Sequence, residues 1–74
     1  MEKRTAKDLT PSERDVWMYI LTYHDENGFA PTLTEIGEKF GHGHSWAHYN
    51  VQGLSKSGFV KVEPNKLRGI RVLS

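Results

Sequence analysis

Seventy-four residues, 36% hydrophobic, 11% aromatic and 26% charged, hold enough apolar side chain for one small core and exclude both a second domain and a disordered chain. With no cysteine there is neither a disulfide framework nor a thiolate centre, no signal-peptide pattern opens the chain, and no apolar run is long enough to span a bilayer. The formal net charge of +1 hides an asymmetry: residues 21–40 carry a net −3 and residues 61–74 a net +3, which makes the C-terminal end the anion-facing one.

Residues 1–9 mix charges with little periodicity and read as a flexible N-terminal arm, leaving 10–74 as the folded domain. Thr10, Pro11 and Glu13 then mark a helix start, with a cap oxygen, a proline whose missing N–H costs nothing at the first position, and a glutamate placed to close a capping box. Val16, Ile20 and Tyr23 or His24 form its apolar stripe, Trp17 and Leu21 broaden it, and Asn27-Gly28 ends it. Pro31 disfavours a helical Ala30, so residues 28–31 read as a crossing segment with room for a very short edge strand. Thr32 and Glu35 repeat the capping box, Leu33, Ile36 and Phe40 share a face, and Gly41 stops the second helix.

After the compact turn His42-Gly43-His44, Ser45 is placed to cap a third helix over 45–57, whose inner face is Ala47, Val51 and Leu54. Past Gly58 the period drops from helical to two. Val60 and Val62 alternate with Lys61 and Glu63, and Ile70 and Val72 repeat the alternation after the Pro64-Asn65-Lys66 turn. Three helices followed by a two-stranded antiparallel hairpin make an α+β chain of the winged helix-turn-helix plan, whose usual partner is duplex DNA.

On that plan the third helix enters the major groove and the wing, residues 63–69, meets backbone or minor groove. Ser45, His48, Tyr49 and Gln52 are the polar side chains available to base edges and phosphates, and Lys66, Arg68 and Arg71 are the cations of the wing. Trp46 is open to three readings: it seals the turn against the second helix, touches DNA, or meets a protein partner. His42, His44 and His48 lie close together, but a closed zinc site takes four ligands, so no metal or other cofactor is expected. No phosphate-binding glycine motif or distinctive acid-base frame is present, and an enzyme is not expected. The alternative is a protein-interaction or antirepressor module on the same scaffold, because a fold does not decide what its exposed face binds. Without a heptad pattern or separate dimerisation unit, the free chain is expected to be mainly monomeric.

From Leu9 to Leu73 the chain resembles the N-terminal DNA-binding domain of the LexA SOS repressor family. The resemblance rests on Leu9-Thr10-Pro11, Asn27 to Thr32, Glu35-Ile36-Gly37, Gly41, Leu54 with Lys56 to Phe59, and Arg68 to Leu73, in that order. It implies a cytoplasmic, nucleoid-associated bacterial or phage transcription regulator, most simply a repressor. Double-stranded DNA is the partner, with self-association on a palindromic operator and a regulatory protein as further partners. It also places Ser45, Trp46, His48 and Tyr49 at groove-facing positions. His42, Trp46 and Asn50 depart from the family's pattern, so its operator sequence does not carry over. The family's second domain, with its serine-lysine self-cleavage centre, has no counterpart in these 74 residues, and self-cleavage is not expected of them.

Overall fold

The computed structural model describes residues 8–66 and 68–73. Their order is α1 (Pro11–Asn27), α2 (Leu33–Phe40), α3 (His44–Lys56), β1 (Val60–Val62) and β2 (Ile70–Val72), the winged helix-turn-helix plan. Most of the expected arm, residues 1–7, lies outside the described residues. Leu9, at its end, is buried against the core, so the packed body begins before the first cap.

Both capping boxes form. The Glu13 N–H donates to Thr10 Oγ1 at 3.1 Å while the Thr10 N–H donates to Glu13 Oε1 at 3.0 Å, and Thr32 and Glu35 repeat the exchange at 3.1 and 2.8 Å. Each box satisfies two amides that a helix start leaves open. Gly28 ends α1, its N–H donating to His24 O at 2.8 Å. On α1 the buried stripe is Val16, Trp17 and Ile20, with Tyr23 half-buried and His24 exposed, so tyrosine and not histidine extends it.

Two details differ from the sequence expectation. Residues 28–31 form no strand; Ala30 and Pro31 are buried, Pro31 has no N–H for a ladder, and the Ala30 carbonyl is held by a side chain from the wing. Ser45 does not cap α3. The helix begins at His44 with extended Gly43 as its cap residue, and no side chain fills the cap. The turn itself brings this about: Gly41 adopts φ 72, which a side chain would resist, and the His42 N–H returns to Gly37 O at 2.8 Å, so the chain re-enters a helix one residue earlier. At the other end Ser57 caps α3, its hydroxyl donating to Gly53 O at 3.0 Å.

Ile20, Ile36, Val16, Val51 and Leu54 meet at the centre, each essentially without exposed surface, and each contributes about 1.5–3 kcal/mol of burial. The hairpin closes this core from below through Val60 and Ile70. Its antiparallel register pairs Val60 with Val72, Lys61 with Arg71 and Val62 with Ile70, so Lys61 and Arg71 stand opposite each other on exposed positions. Trp17 packs on Phe59, at a ring separation of 5.3 Å, where α3 gives way to the hairpin.

The helix-turn-helix unit depends on a close approach at Gly37. A Cβ there would lie 2.8 Å from His42 O and 3.1 Å from Gly43 O, both backbone atoms that cannot swing aside. Gly37→Ala is therefore expected to destabilise the domain by about 1–3 kcal/mol through overpacking, although alanine ordinarily favours a helix by about 1 kcal/mol. Urea unfolding measures this, and a midpoint raised by the substitution would show that the turn is not packed on α2 as described.

Candidate nucleic-acid interface

The third helix presents two faces with different chemistry. Ala47, Asn50, Val51 and Leu54 point into the body, and the Asn50 side-chain amide donates to Trp46 O at 2.9 Å. At 100° per residue, His44, Ser45, His48, Tyr49 and Gln52 fall within an arc of about 140° on the other side. Four of these five are exposed and Gln52 is half-buried; Tyr49 retains 76% of its surface. His44 and His48 stack one turn apart at 12° between ring planes, and Gln52 Nε2 lies 3.4 Å from His48 Nε2, to which it donates when that nitrogen is unprotonated. One row therefore runs His44, His48, Gln52, with Ser45 and Tyr49 beside it. His44 belongs to the row although the sequence places it in the turn; the displaced helix start brings it there.

Trp46 stands apart from that arc. Its half-buried ring stacks on His42 at 4.1 Å and 12°, and leans on Phe40 at 5.5 Å. Phe40 in turn meets Tyr19 edge-on at 5.8 Å and 88°. Of the three readings for Trp46, turn packing is the one these contacts favour.

The wing's cations divide into two kinds. Lys66 Nζ and Arg71 Nε reach the single Glu63 carboxylate at 3.5 and 3.4 Å from well-exposed positions. Exposed pairs of this sort are worth about 0–1 kcal/mol and exchange readily for a stronger anion. Lys61, across the ladder from Arg71, joins them on the exposed side; strand alternation puts it there, although it is not among the cations that the sequence assigns to the wing. A groove of about 360 Å³ runs between the starts of α2 and α3 and the wing, lined by Thr32, Thr34, His44, Glu63 and Lys66 among others. His44, at the start of the α3 row, and Lys66 of the wing thereby share one concave face.

Arg68, expected as a third cation of the wing, is of the other kind and is tied to the helical body. Its guanidinium forks onto Glu35, Nη1 to Oε1 at 2.9 Å and Nη2 to Oε2 at 3.1 Å, and Nη1 also donates to Ala30 O at 3.1 Å. It lies over the Phe29 ring at 4.5 Å, while the Tyr23 hydroxyl donates to Glu35 Oε2 at 3.2 Å. The hydrogen bonds from Arg68 and from the Thr32 N–H hold the Glu35 carboxyl well below the usual carboxylate range, at about 2, and the same pairing raises Arg68.

Among the described residues, no three histidine, aspartate or glutamate side chains converge as metal ligands. No described helix is long and apolar enough to cross a membrane.

A helix-turn-helix with a polar outer row and an adjoining cationic hairpin defines the winged-helix class of nucleic-acid-binding fold. Residues 6–69 match the family model described as the LexA DNA binding domain, and the chain belongs to that family. It is 35% identical over 71 residues to a LexA repressor of Magnetococcus marinus, covering 96% of this chain and 31% of that protein. To the LexA repressor of Leptospira biflexa it is 36% identical over 67 residues, 90% of this chain and 33% of the relative. That of Oleidesulfovibrio alaskensis is 32% identical over 72 residues, 97% and 35% respectively. The chain thus spans about a third of the length of the curated relatives it matches.

The depressed Glu35 carboxyl has a measurable consequence. A carboxyl lowered by folding contributes stability that is present above its unfolded value, near 4.5, and is lost as pH falls through about 2. Urea midpoints of the native chain are expected to fall across that window more steeply than those of Glu35→Gln. Parallel profiles for the two proteins would remove the Arg68 pair from the stability of the fold.

Proposed function

We propose that this domain binds duplex DNA sequence-selectively and serves as the operator-binding part of a transcriptional repressor, working in the cytoplasm at the nucleoid. One observation carries the reading: an exposed polar row on the outer face of α3, whose first member His44 lines the groove that Lys66 of the wing also lines, in a chain of the LexA DNA-binding domain family. Ser45, His48, Tyr49 and Gln52, joined by His44, meet base edges in the major groove. Hydroxyl, imidazole and amide groups offer the hydrogen bonds, and the Tyr49 ring packs against sugar or a thymine methyl. Lys61, Lys66 and Arg71 neutralise phosphates and carry no sequence information themselves.

Selection from a random duplex library at moderate salt tests the proposal. A single enriched sequence family is expected, in which each altered base pair costs about 1–3 kcal/mol. Failure to enrich any sequence, with tight binding to a protein partner instead, would favour the interaction-module reading. On the selected duplex, His48→Ala or Tyr49→Ala is expected to change the base preference at particular positions. Lys66→Ala or Arg71→Ala should weaken selected and scrambled duplexes alike and lower the slope of log K against log salt by about 0.9 for each phosphate that is no longer neutralised.

Two copies on a palindromic operator are part of the same proposal, because two-fold symmetry in DNA calls for two-fold symmetry in what reads it. The free chain is expected to sediment as a monomer and to pair only on DNA with two half-sites. A stable DNA-free dimer that Trp46→Ala dissociates would instead give the tryptophan an assembly role.

A further inference from the structure

Arg68 sits immediately before Gly69, whose carbonyl accepts the Glu63 N–H at 2.7 Å and closes the wing onto its ladder. The strands of that ladder are only three residues each, so they leave the outer loop few bonds of its own to hold its direction. Among the described residues of the loop, Arg68 reaches the helical body with its side chain. It meets the body at three separate places: the Glu35 carboxylate on α2, the Ala30 carbonyl in the crossing segment, and the Phe29 ring. A planar fork on a carboxylate fixes orientation as well as distance, which a lysine would not do. Glu35 cannot follow the wing outward, because its oxygens are also held by the Thr32 N–H at 2.8 Å and the Tyr23 hydroxyl at 3.2 Å. The two side chains are 35% and 32% exposed, yet this is a bidentate pair inside a network and not a loose surface contact.

We infer that Glu35 and Arg68 are positioning residues for DNA binding: their pairing sets the angle of the wing against α3, so that Lys61, Lys66 and Arg71 reach phosphates while the α3 row lies in the groove. The inference rests on the proposed role of the wing and adds to it a residue on α2 that touches no DNA. It also separates two functions within one hairpin. Three cations meet the backbone, and the fourth is committed to the protein itself.

Substitution of Glu35 by glutamine distinguishes this from simple electrostatics. Glutamine still completes the capping box, so α2 keeps its start, while the ion pair is removed and the net charge rises by one unit. If Arg68 were a phosphate ligand held in reserve, Glu35→Gln would release it, tightening binding and steepening the salt dependence. The positioning role requires the opposite. On the library-selected duplex, Glu35→Gln is expected to bind about five- to tenfold more weakly, with a shallower salt slope, on the scale of leaving one or two phosphates without a cation. Arg68→Lys, which keeps the charge but not the fork, should do the same. Circular dichroism and urea unfolding confirm that both variants are folded at the binding temperature, and a merely structural defect in a folded protein leaves the slope unmoved. Binding by Glu35→Gln that is as tight as the native chain's, with an equal or steeper slope, overturns the inference alone. Unchanged affinity and slope in Lys61→Ala, Lys66→Ala and Arg71→Ala overturn the role of the wing, and this inference with it.

Discussion

The arrangement depends on what happens at one carboxylate. Glu35 occupies the third position of α2, where it closes the capping box, receives the Tyr23 hydroxyl from α1 and accepts the guanidinium fork of Arg68 from the wing. Three parts of the chain that are distant in sequence thereby share one anionic centre. Loss of the carboxylate would leave a helix start, a tyrosine hydroxyl and an arginine each with fewer partners, so its effect exceeds that of any one bond. Its lowered proton affinity has the same origin: the surrounding donors all favour the charged form.

A second constraint is steric. The helix-turn-helix angle follows from the turn lying directly on α2 at Gly37, and the Trp46 ring joins Phe40 at the end of α2 to His42 in the turn. Those rings continue through Tyr19 to α1. His42 and Trp46 are thus paired with each other: an imidazole and a bulky indole stack at the turn. Their effect on DNA preference, under the proposed reading, is indirect, since they set the pitch of α3 and leave the row of His44, Ser45, His48, Tyr49 and Gln52 to meet the bases.

Most of the architecture is legible in the sequence because it is local. Capping boxes span four residues, helix stops fall at glycines, and the change from helical to alternating period after Gly58 announces the hairpin. Sequence and structure part where a long-range contact outranks a local preference. Ser45 is a good cap residue, but the bond from His42 back to Gly37 moves the helix start to His44. The crossing segment has a strand-like length, yet its Ala30 carbonyl is taken by Arg68, 38 residues away. Arg68 reads as one more cation of a basic wing because nothing near it in the chain reveals Glu35, 33 residues earlier. The candidate row is partly legible: helical phase selects most of its members, the contacts of Trp46 with Phe40 and His42 come from packing, and His44 joins only because the helix starts one residue early.

The central claim is that α3 reads base edges in the major groove while the wing holds the backbone. Base analogues in the selected duplex test it most directly, because 7-deazapurines remove a major-groove acceptor and leave pairing and the minor groove intact. The account predicts that binding falls at a short cluster of purines within each half-site and is unaffected elsewhere. Full affinity for duplexes substituted at every purine of the site, with sensitivity confined to changes in the minor groove, would contradict it.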